Sequence, residues 1–183
     1  MTTRSSRPAG RRREFTDSPG SGLLSPGESL LGGIQGASGR QAEVNLGHIC
    51  NDICSFCVSG QLTQERIARP VPVGPVLESM EKARAQGASQ ITFLGGEPTI
   101  QANFMEALQA AFQLGFEEIV VFTNMARGMD RRFLERAAAV GRFEWRISVQ
   151  GGDAETHDKV VGRKGAYDRI RAGMDWLADS DRR

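Results

Sequence analysis

From residue 43 to the end, the chain repeats one unit four times: a short apolar stretch, a loop, then apolar residues at helical spacing. Strands are expected at 43–47, 90–94, 118–123 and 143–149. Residues 119–122 (Ile-Val-Val-Phe) form the unbroken apolar run of a strand covered on both faces. Helices are expected to run to about 86 with Pro75 near the first turn, at 101–114 and 130–140, from about 153, and at 166–178. Gly87 and Gly115 act as stops and Asp130 as a cap. Strand and helix alternating at this spacing predict an α/β fold, a parallel sheet joined by right-handed crossovers. Each unit takes about 35 residues, whereas a complete eight-unit barrel takes roughly 250 in all. Four units therefore make a (βα)4 half barrel or a small open sheet. Its last strand is expected to present an edge that needs cover.

Residues 1–41 read differently. They are rich in Gly, Ser, Pro and Arg, and their few apolar residues keep no period, so they are expected to be a disordered extension. The run Arg11-Arg12-Arg13 reads as part of a solvated tail. Residues 42–183 are expected to form one domain. A formal net charge of +1 argues against a general nucleic-acid binder. The sequence has no apolar run of the ~18 residues a membrane helix needs, and no apolar core of a secretory signal follows the Arg-rich start.

The three cysteines all fall within eight residues, Cys50-Asn-Asp-Ile-Cys54-Ser-Phe-Cys57. Three thiols cannot close a disulfide framework, and so tight a group suits a metal in a reducing compartment, with the cytoplasm as the expected location. A structural zinc module pairs two separated two-ligand elements and closes with four ligands, which C-x3-C-x2-C does not supply. An electron-carrying cubane takes four thiolates. Three on one loop would instead leave one iron open to a chelating substrate. Further along, strand 90–94 runs into Gly95-Gly96-Glu97-Pro98. Two glycines there permit close approach to a ligand, a carboxylate accepts hydrogen bonds from an ammonium group, and Pro98 suits a helix entry. All these groups fall at strand carboxyl ends, where α/β folds gather ligands.

C-x3-C-x2-C, with Phe56 before the third cysteine, resembles the cluster loop of the radical S-adenosylmethionine (SAM) enzymes. Gly95-Gly96-Glu97-Pro98 is similar to that family's Gly-Gly-Glu-Pro segment. Thr123-Asn124-Met125 resembles its Thr-Asn-Gly, and Arg146–Gly152 its Ile-Ser-Leu-Asp-Gly pattern. Met125 and Gln150 stand where Gly and Asp are commoner. The likeness is strongest to the branch holding the molybdenum-cofactor cyclase, sulfatase maturases and peptide-modifying enzymes.

The resemblance implies a [4Fe–4S] cluster on Cys50, Cys54 and Cys57, and SAM chelated to the open iron. The Phe56 backbone would lie against the adenine and Gly95–Pro98 would bind the methionyl amino group. Ser148 and Gln150 would stand near the ribose or carboxylate, and Asn124 would line the site. It further implies an enzyme in which SAM is cleaved reductively to a 5′-deoxyadenosyl radical that abstracts hydrogen from a substrate, peptide or small molecule. The electron donor would be of flavodoxin or ferredoxin type. The family's partial (βα)6 barrel needs about two more units than the four counted here. The domain is therefore expected to be incomplete at its C-terminus. The alternative function is a non-catalytic iron–sulfur subunit or fragment, with a second chain completing the barrel. In the stretch after the fourth strand, His157 and Asp158 are expected to order a helix and loop. His48, Trp145 and Trp176 are expected to be packing residues.

Overall fold

The computed structural model describes residues 34–38 and 40–179. A five-stranded sheet runs β1 (Ile34–Ser38), β2 (Gln41–Asn45), β3 (Gln90–Leu94), β4 (Glu118–Thr123), β5 (Glu144–Ile147), each strand beside the next in sequence. β2 to β5 are parallel, as the alternation of elements predicts. The helices are α1 (Val58–Gln64), α2 (Val73–Ala85), α3 (Phe104–Gln113), α4 (Arg131–Val140), α5 (Ala154–Val161) and α6 (Ala166–Asp179).

Register explains how one face becomes core. Ala42, Ile91 and Ile119 are lateral neighbours, as are Val44, Phe93, Val121 and Trp145. In a strand, alternate residues share a face. That face packs with Val76, Met80 and Ala83 of α2, Phe104, Leu108 and Ala111 of α3, Phe133 and Leu134 of α4, and Ile170 and Trp176 of α6. The intervening positions Glu43, Thr92, Val120 and Glu144 form a row on the opposite face. Asp130 caps α4 by accepting from Phe133 N–H at 3.0 Å, and Asp153 caps α5 by accepting from Thr156 N–H at 2.9 Å. No helix among the described residues is long and apolar enough to cross a membrane.

Several features depart from the sequence reading. β1 lies inside the segment expected to be disordered and pairs antiparallel with β2, so the ordered domain starts before residue 42. An edge strand is held by backbone hydrogen bonds to its neighbour and needs little apolar periodicity of its own. The remainder of that expectation, and Arg11–Arg13 with it, lies outside the described residues. β2 ends two residues earlier than expected, because Asn45 Oδ1 accepts Gly47 N–H at 2.8 Å and turns the chain out of the strand. α1 follows the cysteine loop directly and carries no periodic apolar face in sequence. The helix expected at 101–114 begins at Phe104. Ahead of it come a 3-10 turn at Pro98–Ile100 and Asn103, whose amide donates to Leu46 O at 3.1 Å and Val71 O at 3.0 Å.

Candidate functional site

The cysteine loop leaves the carboxyl end of β2 and is held on three sides. On the first side, the turn after β3 lies against residues 47–49. Gly96 N–H donates to Gly47 O at 2.8 Å and Glu97 N–H to Ile49 O at 3.0 Å. A Cβ on Gly95 would stand 2.4 Å from Gly47 O, and one on Gly96 would stand 2.4 Å from Ile49 O. The two glycines are thus required by the approach of protein backbone, where the sequence suggested the approach of a ligand. Gln101 Nε2 adds hydrogen bonds to Ile49 O at 2.6 Å and Glu97 O at 3.0 Å.

On the second side, Thr63 of α1 accepts Cys50 N–H at 3.0 Å through its hydroxyl, which lies 3.2 Å from His48 O. On the third side stand α5 and α6. Ile53 N–H donates to Val161 O at 2.9 Å and Ser55 N–H to Val160 O at 3.3 Å. Gly162 ends α5 at φ 64, where a Cβ would lie 2.8 Å from Ile53 O. A residue without a side chain suits both the left-handed backbone and the contact.

Glu97 is fully buried. Its Oε1 accepts Thr99 N–H at 3.0 Å, the Thr99 hydroxyl, and the Thr123 hydroxyl at 2.7 Å; its Oε2 accepts Asn124 N–H at 2.7 Å. Burial pushes this carboxyl above its usual range, while those four donors pull against it. The side chain expected to meet a ligand ammonium is engaged by protein donors from β3's turn and β4's end. The Gly95 and Gly96 backbone beside it is half-buried. Asn124 Nδ2 donates to Asp52 Oδ2 at 2.9 Å and Asn51 Oδ1 at 3.1 Å, and lies 3.7 Å from Cys50 Sγ. Asp52 is 1% exposed and sits 3.4 Å from both Arg163 Nε and Arg169 Nη2. Burial raises its carboxyl, and Arg169 and then Arg163 pull it back down.

The three cysteines are free and half-buried. Desolvation, with Asp52, Glu97 and Cys54 as like charges, pushes the Cys50 thiol up to about 12, against the lowering effect of a backbone hydrogen bond. Burial first, then Asp52 and Cys57, also raise Cys54. In the metal-free chain Cys50 is therefore a neutral thiol at pH 7, and ligation must displace its proton. The donor set fits a cubane cluster, whose sulfur ligands are soft thiolates spread around several irons. Among the described residues, no three His, Cys, Asp or Glu side chains converge as a single ion requires.

Of the other expected site residues, Phe56 is 64% exposed on the cysteine loop. Pro98 is buried in the 3-10 turn. Ser148 reaches the network through its backbone N–H, which donates to Thr123 O at 2.9 Å. The Gln150 side chain is exposed, and its N–H donates to His157 Nδ1 at 3.0 Å. Buried His157, and Asp158, which accepts Tyr167 N–H at 2.9 Å, order the segment as expected. Trp176 is core. Asp52, Thr99, Thr123 and Arg169 were not singled out from sequence. Each works through a contact distant in sequence or through a turn that no local pattern marks.

Met125 adopts φ 58 and is 1% exposed, at the position where the family commonly has glycine. Its side chain fills space against Gly173 of α6, where a Cβ would lie 2.6 Å from Met125 Cε. Met125→Gly is expected to relieve about 1–2 kcal/mol of left-handed backbone strain. It also gives up burial worth about 2–5 kcal/mol. Net destabilisation follows, read as a lower urea midpoint; a higher midpoint would show that strain dominates.

The profile of the Radical SAM superfamily matches residues 44–183. The sporulation killing factor maturation protein SkfB of Bacillus subtilis is 30% identical over 157 residues, covering 84% of this chain and 36% of SkfB. The PqqA peptide cyclase of Rhizobium meliloti is 26% identical over 135 residues, covering 74% of this chain and 35% of the cyclase. Streptococcus suis SuiB, bound to the precursor peptide SuiA, superposes with a TM-score of 0.64 at 20% identity, over 80% of this chain and 31% of SuiB. A second SuiB structure, bound to S-adenosylmethionine, gives 0.60 at 20% identity over 73% and 30%. This chain belongs to the radical SAM superfamily, whose cofactors are a [4Fe–4S] cluster and SAM. It spans about a third of the length of the curated relatives it matches.

Proposed function

We propose that Cys50, Cys54 and Cys57 hold the [4Fe–4S] cluster and that the chain contributes the initiating half of a radical SAM site acting on a peptide. When bound, cluster and SAM supply one-electron reductive cleavage of the sulfonium, giving methionine and the 5′-deoxyadenosyl radical that takes hydrogen from the substrate. The chain's own residues do the positioning. The Gly95–Glu97 turn and Thr63 fix the backbone leading into Cys50. Asn124, held at its N–H by Glu97, sets Asn51 and Asp52 between the first two ligands. Phe56 is exposed next to Cys57, where its backbone would meet the adenine, and Ser148 and Gln150, just past the end of β5, would face the ribose or carboxylate. The observation that carries the reading is a three-thiol loop braced by the Gly-Gly-Glu-Pro turn at the carboxyl end of a parallel sheet. A peptide substrate is supported by relatives whose names concern peptides, the PqqA peptide cyclase and SuiB with SuiA. The cytoplasm, with a flavodoxin- or ferredoxin-type donor, suits reduced thiols and a low-potential electron.

One observation favours a second reading. β5 pairs only with β4, so its outer edge is open among the described residues. In that reading the chain binds the cluster but turns over only when further strands, of a longer chain or a second one, complete the barrel. Anaerobic reconstitution with iron and sulfide, then assay of 5′-deoxyadenosine with SAM and a strong reductant, tests both. Product above a Cys50→Ala control supports the first reading. A cluster without product supports the second, and no cluster overturns both.

A further inference from the structure

Asp52 is the middle residue between the first two cysteines, and it is 1% exposed on a loop whose next residue, Ile53, is 36% exposed. A carboxylate taken out of water there is costly unless paired. Both oxygens are engaged by the protein: Oδ1 accepts Asn51 Nδ2 at 2.7 Å and faces Arg163 and Arg169 at 3.4 Å, while Oδ2 accepts Asn124 Nδ2 at 2.9 Å. The cations come from the α5–α6 junction and from α6 itself, 117 positions away in the case of Arg169. The backbone bonds from Ile53 and Ser55 to Val161 and Val160 run along the same seam, and Gly162 lets the two backbones meet. Arg169 is anchored in turn: a Cβ on Gly128, in the β4–α4 loop, would lie 2.0 Å from its carbonyl oxygen. The loop that carries the cysteines is therefore tied by charge and by backbone to a rigid helix pair that carries none of them.

We propose that Asp52 with Arg163 and Arg169 forms a latch that holds the cysteine loop in one shape before any metal arrives. Asp52 and Arg169 are thus positioning residues for cluster assembly, a role that rests on Cys50, Cys54 and Cys57 being the ligands. Holding the loop in advance removes an ordering cost that binding would otherwise bear. The latch also explains why a charge is buried at a site where a neutral residue would leave the thiols unchanged in number and spacing.

The test uses the full 183-residue chain without metal, reduced, with iodoacetamide alkylation of Cys54 followed by mass spectrometry. Asp52 itself raises the Cys54 thiol, so rates are compared for the fully ionised thiolate, from the high-pH plateau of each variant's pH–rate profile. On that scale Asp52→Asn and Arg169→Gln are each expected to speed alkylation about tenfold, the scale of a coupled buried pair, and to slow the growth of cluster absorbance from ferrous iron and sulfide. Arg169→Lys, which keeps the charge, is expected to restore a slow rate. Arg84→Ala removes hydrogen bonds to Leu114 O and Ala88 O at the amino ends of the strands, the opposite end of the sheet from the cysteine loop, and is expected to leave the Cys54 rate unchanged. Rates within about twofold of wild type for Asp52→Asn and Arg169→Gln overturn the latch. An equal acceleration in Arg84→Ala also overturns it, because the effect is then general loosening of the fold. Wild-type chain that takes up no iron and sulfide overturns the ligand assignment instead, and the metal-free alkylation rates still decide whether the latch orders the loop.

Discussion

Cys54→Ala is expected to bring iron and sulfide content to background while the domain stays folded. The three cysteines are all that the chain has, and they share one loop. Among the described residues, no neighbour is placed to substitute. His48 lies 3.4 Å from Ser59 Oγ through Nδ1 and 3.4 Å from Asn45 Nδ2 through Nε2, and both oxygens of Asp52 have protein partners. Two thiolates cannot hold a cubane with one open iron, so the loss is of the whole cluster and not of one iron. Cys54 is half-buried and its side chain belongs to no core cluster, so the stability cost is expected to stay near 0.5 kcal/mol, the scale of a surface substitution. Iron and sulfide analysis beside a thermal melt separates the two effects. Retained colour with full iron in the variant would remove Cys54 from the ligand set.

The second large effect is expected at Glu97. Its two oxygens each receive a backbone N–H, from Thr99 on one and from Asn124 on the other, so both oxygens must be acceptors. Glu97→Gln turns an amide donor toward one of those N–H groups. Glu97→Ala leaves both unsatisfied, together with the hydroxyls of Thr99 and Thr123. Each buried group left unpaired costs about 1–3 kcal/mol. Glu97→Ala is therefore expected to lose ~3 kcal/mol or more in urea unfolding, a large part of a typical domain's stability. Glu97→Gln is expected to fall between it and wild type. Because Glu97 N–H also holds Ile49 O, and its side chain holds the residue that sets Asp52, cluster retention should fall with stability. Full stability and full cluster in Glu97→Ala, with only SAM affinity lost, would return Glu97 to the ligand-contact role that the sequence suggested.

Much of the architecture was legible because it is encoded locally. The runs 90–94 and 118–123 are strands with the bounds expected, and Asp130 caps its helix as read, since a cap is decided within three residues. β1 and α1 were not legible. One is an edge strand held by its partner's backbone, the other a short helix set by the loop before it.

At the site, residue types and spacing marked the three thiols as a soft-ligand group, because that chemistry restricts which residues serve, while the Gly-Gly-Glu-Pro turn and the strand-end residues were given their roles by resemblance to the radical SAM enzymes. What those residues touch was decided only by the fold. The glycines admit the backbone of residues 47–49, Glu97 faces inward to four donors, and Asp52 meets cations that follow it by more than a hundred positions. A carboxylate's role depends on which donors surround it. Apart from the neighbouring Thr99 and Asn51, those donors arrive from the end of β4, the α5–α6 junction and α6, an arrangement that exists once the sheet has brought them together and nowhere along the chain before it.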